Sequence, residues 1–215
     1  MEASLPLMFA GLVGLGHAFE ADHLLAVSNI VTKRENLKDA ARDGMFWGLG
    51  HTTTIVLIGI VIIVGKVTLL NGFFSYFEAL VGFMLVALGV VRMGNYLKTG
   101  HATSHSTPEV HTHPHQDRHS HKLAYGVGLI HGLAGSGTMV LLVMSNIPDV
   151  LGSLTYLVIF GLGSVLGMLL AAGVLSLPFS RKLALDPTWK SVFVWISSVL
   201  CILYGSYVMW ENLMG

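Results

Sequence analysis

The chain has 215 residues, of which 53% are hydrophobic and only 11% charged, with a mean hydropathy of +0.69. Soluble domains usually carry about 25% charged residues, so an ordinary soluble enzyme is excluded. Twelve Lys plus Arg balance twelve Asp plus Glu, which leaves no basic surface for nucleic acid, and the single Cys201 excludes an intrachain disulfide.

A bilayer core about 30 Å thick needs about 20 apolar residues per spanning helix. Six runs qualify: residues 5–31, 45–64, 75–97, 123–146, 153–177 and 189–213. They predict an all-α integral membrane protein of six transmembrane helices. The N-terminus has no basic segment ahead of its apolar run, so that run is expected to be retained rather than cleaved.

The first run holds His17, Glu20, Asp22 and His23. At 1.5 Å per residue, His17 lies roughly 18 Å inside one end of the run and His23 roughly 12 Å inside the other. Ionisable groups at such depth cost several kcal/mol unless paired, hydrated or metal-bound, and they mark function by default. On a regular helix His17 neighbours Glu20, and Glu20 neighbours His23. His17 and Asp22 do not share a face, because five residues turn the helix by about 140°. Aiming His17, Asp22 and His23 at one ion therefore requires a local break, which is tolerated at membrane depth where it lines a cavity.

The second run carries His51, followed by Thr52, Thr53 and Thr54. His51 sits at roughly 9 Å depth, close to that of His23 from the same side. In the third run Glu78 and Arg92 are expected to snorkel or pair near the ends. Residues 101–121 follow, a polar stretch with seven of the eleven histidines plus Pro108 and Pro114. Such a tract gathers metal and should be a loop. The fourth run carries His131, then Gly132, Gly135, Ser136 and Gly137. Its glycines point to close packing or a second helix break, and both a ligand role and a packing role are open for His131. Imidazoles with a carboxylate suit nickel, cobalt, zinc or iron(II), whereas calcium and magnesium prefer oxygen ligands.

Eleven of the twelve Lys and Arg fall beside the loops after runs one, three and five, and only Lys66 falls opposite. By the positive-inside rule the histidine-rich loop faces the cytoplasm and both termini face outward, in the inner (plasma) membrane. The two chain halves also resemble each other. Gly14–Ala18 matches Gly128–Gly132, Trp47–His51 matches Phe160–Ser164, and Leu88-Gly89 matches Tyr204-Gly205, at offsets of 114, 113 and 116 residues. A three-span unit repeated once must invert, which is a common transporter plan. The expected organisation is a first three-helix repeat at 1–100, the cytoplasmic loop at 101–122 and a second repeat at 123–215, with alternating access by rocking of the two halves.

The motifs His17-Ala18-Phe19-Glu20-Ala21-Asp22-His23 and Leu49-Gly50-His51-Thr52-Thr53-Thr54 resemble those of the nickel/cobalt transporter family. The stretch His131-Gly132-Leu133-Ala134-Gly135-Ser136-Gly137 is similar to its shorter, UreH-like branch. The resemblance implies uptake of Ni²⁺ or Co²⁺ by a secondary carrier, with His17, Asp22, His23 and His51 as transport residues. Glu20 and His131 complete the candidate set. The metal would be cargo, with no tightly bound cofactor. Implied partners are the ion, membrane lipids and the maturation proteins of urease or hydrogenase. The acidic motif of the larger family members is absent here. Rival readings are a metal exporter of the same fold, a membrane di-iron enzyme, and a metal sensor or accessory subunit.

Overall fold

Lipid offers no partner to a backbone amide, so a chain this apolar must bond its backbone within helices. A computed structural model describes residues 4–31, 34, 36–65, 71–100, 116–133, 147, 149–180 and 186–215. Among these residues the structure is helical and contains no strand. Seven α-helices follow in order: α1 Ser4–His17, α2 Ala21–Val31, α3 Leu37–Gly65, α4 Asn71–Gly100, α5 Gln116–His131, α6 Val150–Ser176 and α7 Pro187–Met214. A single 3₁₀ turn, Leu177–Phe179, extends α6. The histidine-rich tract up to residue 115, the Gly135–Gly137 run and Lys66 lie outside the described residues.

Four helices, those of the second, third, fifth and sixth runs, are long and apolar enough to cross a membrane. The first run differs from a single span, because it divides into α1 and α2 around a turn at residues 18–20. The turn meets its own backbone needs. Phe19 N–H donates to the Gly16 carbonyl at 2.9 Å, and Glu20 N–H to that of His17 at 3.1 Å. The fourth run is described as α5, whose last residue is His131, followed by a turn at residues 132–133.

The helices pair across the chain, not along it. The most extensive packing is α4 on α7, α3 on α6, α3 on α5 and α1 on α6. Glycines permit the approach. A Cβ at Gly14 would overlap the Phe160 carbonyl and crowd the Ser164 nitrogen, and one at Gly128 would overlap the Trp47 carbonyl and crowd the His51 nitrogen. Gly50 lies in the same way against Tyr125, and Gly163 against Gly11; Gly89 faces the Ser198 carbonyl, and Gly205 that of Gly82. Within each of these three pairs, a shift of 113 to 116 residues converts one contact into the other. Hydroxyls reinforce the seams. Thr52 donates to the Gly161 carbonyl at 3.2 Å, Thr54 to that of Leu129 at 2.9 Å, and Ser164 to that of Gly14 at 3.2 Å. Thr53 donates within its own helix, to the Leu49 carbonyl at 2.7 Å, and accepts from the Tyr125 hydroxyl of α5 at 3.4 Å.

One charged cluster ties three segments at the far ends of these helices. Asp43 of α3 is fully buried, and Arg34, just after α2, reaches its Oδ2 at 2.6 Å. His121 of α5 holds Oδ1 at 2.6 Å and stacks on Phe46. A carboxylate out of water persists only when both oxygens are met, and here they are met from both halves of the chain.

Glycine size, not glycine flexibility, sets the packing, and this is measurable. Gly128→Leu forces α5 off α3, and overpacking of this kind costs about 1–3 kcal/mol. Gly126→Leu, at a position with nothing within 4 Å, serves as the control. Thermal unfolding in detergent should show a lowered midpoint for the first variant and little change for the second. Equal midpoints would contradict the close approach.

Candidate metal centre

The broken first run sets the geometry. His17 closes α1, while Asp22 and His23 begin α2. The three-residue turn between them removes the 140° conflict of a continuous helix, since α2 leaves the turn in its own direction. His51 enters from the middle of α3 and His131 from the last residue of α5. All four imidazoles are buried.

The rings form one cluster with His23 at its centre. Ring centroids lie 4.3 Å apart for His17–His23, 4.2 Å for His23–His131, 5.1 Å for His23–His51 and 5.2 Å for His17–His51. Two groups of three can each present one ligand atom with mutual separations within 4.8 Å: His17, His23 and His51, and Asp22, His23 and His131. Five of the six residues singled out in the sequence fall in these two groups, and Glu20 joins them from its exposed position through His17.

Each carboxylate backs an imidazole. Glu20 Oε1 lies 2.9 Å from His17 Nδ1. Asp22 Oδ1 accepts from the His23 backbone N–H at 2.9 Å and meets His23 Nδ1 at the same distance, and its Oδ2 meets His131 Nε2 at 3.0 Å. A carboxylate on one ring nitrogen fixes the ring and raises the basicity of the other, which is how metal-binding histidines are held. The opposite nitrogens converge. His17 Nε2 and His51 Nε2 are 3.2 Å apart. Two neutral imidazole nitrogens at that distance share one proton, and a cation can replace it as the common partner. His23 Nε2, His51 Nδ1 and His131 Nδ1 are buried and have no hydrogen-bond partner among the described residues. An unmet buried polar atom costs about 1–3 kcal/mol, and three ring nitrogens in one cluster form a donor set suited to a cation.

Aromatic rings wall the cluster. Trp47, one turn before His51, packs 5.5 Å from the His23 ring and 5.6 Å from that of His131, and Phe160 of α6 lies 5.7 Å from His17. Sequence reading passed over Trp47, although its i,i+4 spacing to His51 was the available signal. It also left Glu78 at a helix end. Glu78 does lie near a helix end, and there it lines a cleft with Glu20, Asp22 and Glu211.

The family model described as "Cytochrome C biogenesis protein transmembrane region" matches residues 7–207. The chain is 37% identical over 207 residues to the "Urease accessory protein UreH" of Bacillus sp. (strain TB-90), covering 93% of this chain and 90% of that protein. It is 31% identical over 112 residues to the "Nickel transporter NicT" of Mycobacterium tuberculosis (strain ATCC 25618 / H37Rv), covering 41% of this chain and 29% of that protein. The "Nickel transporter NixA" of Staphylococcus aureus (strain NCTC 8325 / PS 47) is 35% identical over 54 residues, 25% of this chain and 16% of that protein. No solved structure matches the chain.

Trp47 reports directly on the cluster. In a Trp189→Phe/Trp195→Phe/Trp210→Phe background, titration with Co²⁺ or Ni²⁺ should quench Trp47 emission in a saturable way. His23→Ala in the same background should abolish the saturable phase. Emission that is indifferent to either ion would show that no cation sits among these rings.

Proposed function

The chain belongs to the UreH-like branch of the nickel/cobalt transporter family, and from that premise we propose that it carries Ni²⁺ into the cell through an intramembrane histidine–carboxylate site. It is a multi-pass membrane permease for a metal ion and not an enzyme, which sets aside the di-iron alternative. In the proposed cycle His17, His23 and His51 ligate the ion through ring nitrogens, with Co²⁺ as the alternative cargo. Asp22 and His131 form the adjoining half of the site, and Glu20 and Asp22 hold the rings in register. Three imidazoles with a carboxylate nearby match the nitrogen-and-oxygen preference of these ions.

The observation that carries this reading is the convergence of four buried imidazoles, three of them with an unmet nitrogen, at a break in a membrane helix. Hydrogen-bonded packing alone would leave no such remainder. In the same reading the chain consists of six spans arranged as two inverted repeats. The contacts that interconvert under one shift of numbering support this, as does the placement of His17 and His131, 114 residues apart, each at the end of a helix. The bias of basic residues supports an inward-facing histidine-rich loop in the plasma membrane, where the tract gathers the ion on the cytoplasmic side for maturation proteins of nickel enzymes.

Flux into proteoliposomes tests the site. Wild type should accumulate Ni²⁺. His17→Ala should lose roughly 10- to 100-fold in apparent affinity, and Asp22→Asn, which frees two rings at once, should lose a similar amount. Equal uptake by all three proteins would remove these residues from the transport path.

A further inference from the structure

A cleft of about 450 Å³ separates α2 from the α4–α7 pair. Glu20, Asp22, Glu78 and Glu211 line it, together with Tyr204 and Val208, and no Lys, Arg or His is among its lining residues. Four carboxylates in a low-dielectric wall focus a field that concentrates cations. Acidity alone identifies no ligand, but two of these acids also hold the histidine cluster. Asp22 meets His23 and His131 through its two oxygens, and Glu20 meets His17. Beyond Asp22, His23 is 1% exposed and its Nε2 is unpartnered among the described residues. The cleft therefore ends on Asp22, the carboxylate that holds two rings of the histidine cluster.

Its position relative to the helix pairing is equally informative. Close glycine contacts lock α1 to α6, α3 to α5 and α3 to α6, which makes one four-helix block. A separate set locks α4 to α7. Between block and pair, packing is sparse and runs mainly through α2. Rocking of the two chain halves would have to part Gly14 from Phe160, Gly128 from Trp47 and Gly82 from Gly205, since each contact joins one half to the other. A swing of α4 with α7 breaks none of them. The cleft lies along this weak seam.

We infer that the seam is the access route of the transported cation, with Glu78 and Glu211 drawing the ion toward Asp22 and the α4–α7 pair serving as the moving wall. The inference rests on the transport reading above and adds to it the entry path and its two further carboxylates. Glu78 lies near the start of α4 and Glu211 near the end of α7. In the orientation proposed above, both ends face outward, as an uptake route requires.

The test uses full-length protein in liposomes with Ni²⁺ as the probe. In Glu78→Gln/Glu211→Gln the half-saturating Ni²⁺ concentration should rise roughly tenfold and depend less on ionic strength, because two of the four carboxylates that line the cleft are gone. Glu78→Asp/Glu211→Asp should restore both properties, which a purely structural role would not do. A bulky thiol reagent on Val208→Cys should block flux, and Ni²⁺ should slow the reaction. The same reagent on Leu162→Cys, on the exposed face of α6, should have no effect. An unaltered half-saturating concentration in the Gln variant, or free flux through modified Val208→Cys, would overturn the route while wild-type transport stands. Absence of Ni²⁺ flux in wild type would overturn the transport reading itself.

Discussion

A helix that ends in a buried interior strands carbonyl and amide groups away from water. The structure accepts this at His17 because the three-residue turn bonds its own backbone and because α6 presses against Gly14 from the side. The arrangement of the candidate metal centre follows from that tolerance. Without the break, His17 and Asp22 would point about 140° apart, and the His17 ring could not join Asp22 and the ring of His23 in one cluster. The break also lets four helices, α1, α2, α3 and α5, each deliver a side chain to one small volume.

Close approach of helices is the second requirement, and it comes from absence of side chain. Lipid tails are as apolar as leucine, so helices in a membrane associate through packing and interhelical hydrogen bonds. Gly14, Gly50, Gly128 and Gly163 bring α1 and α5 against the backbones of α6 and α3. Thr52, Thr54 and Ser164 then add hydroxyl bonds across the same seams. His51 lies in the middle of this lock, which fixes its ring against a rigid wall. Asp22 and His23 lie on α2, which carries most of the packing between the locked block and the α4–α7 pair.

Much of the site was legible because its physics is local. Four ionisable residues within seven positions of an apolar run announce themselves, and the angular conflict between His17 and Asp22 demanded a break that the structure contains. The tight contacts follow the same offsets of 113, 114 and 116 residues that relate the two halves of the sequence. What stayed illegible depends on which helices touch. Glu78 and Glu211 are 133 positions apart and become neighbours of Asp22 only through the pairing of α4 with α7. Asp43 lies outside the six apolar runs, yet it is buried between Arg34 and His121 from opposite halves. The packing of helices across the halves was equally hidden, because periodicity reports which face is apolar and not what covers it.

The shortness of α1 has a consequence for how the protein is made. Fourteen residues rise about 21 Å, too little for a hydrocarbon layer of roughly 30 Å, and the turn that follows carries an acid. Released alone from the insertion machinery, this segment would leave Glu20, Asp22 and His23 facing acyl chains. Its shelter is α6, which is synthesised more than a hundred residues later. The pairing of α1 with α6 therefore closes only after most of the chain has been made.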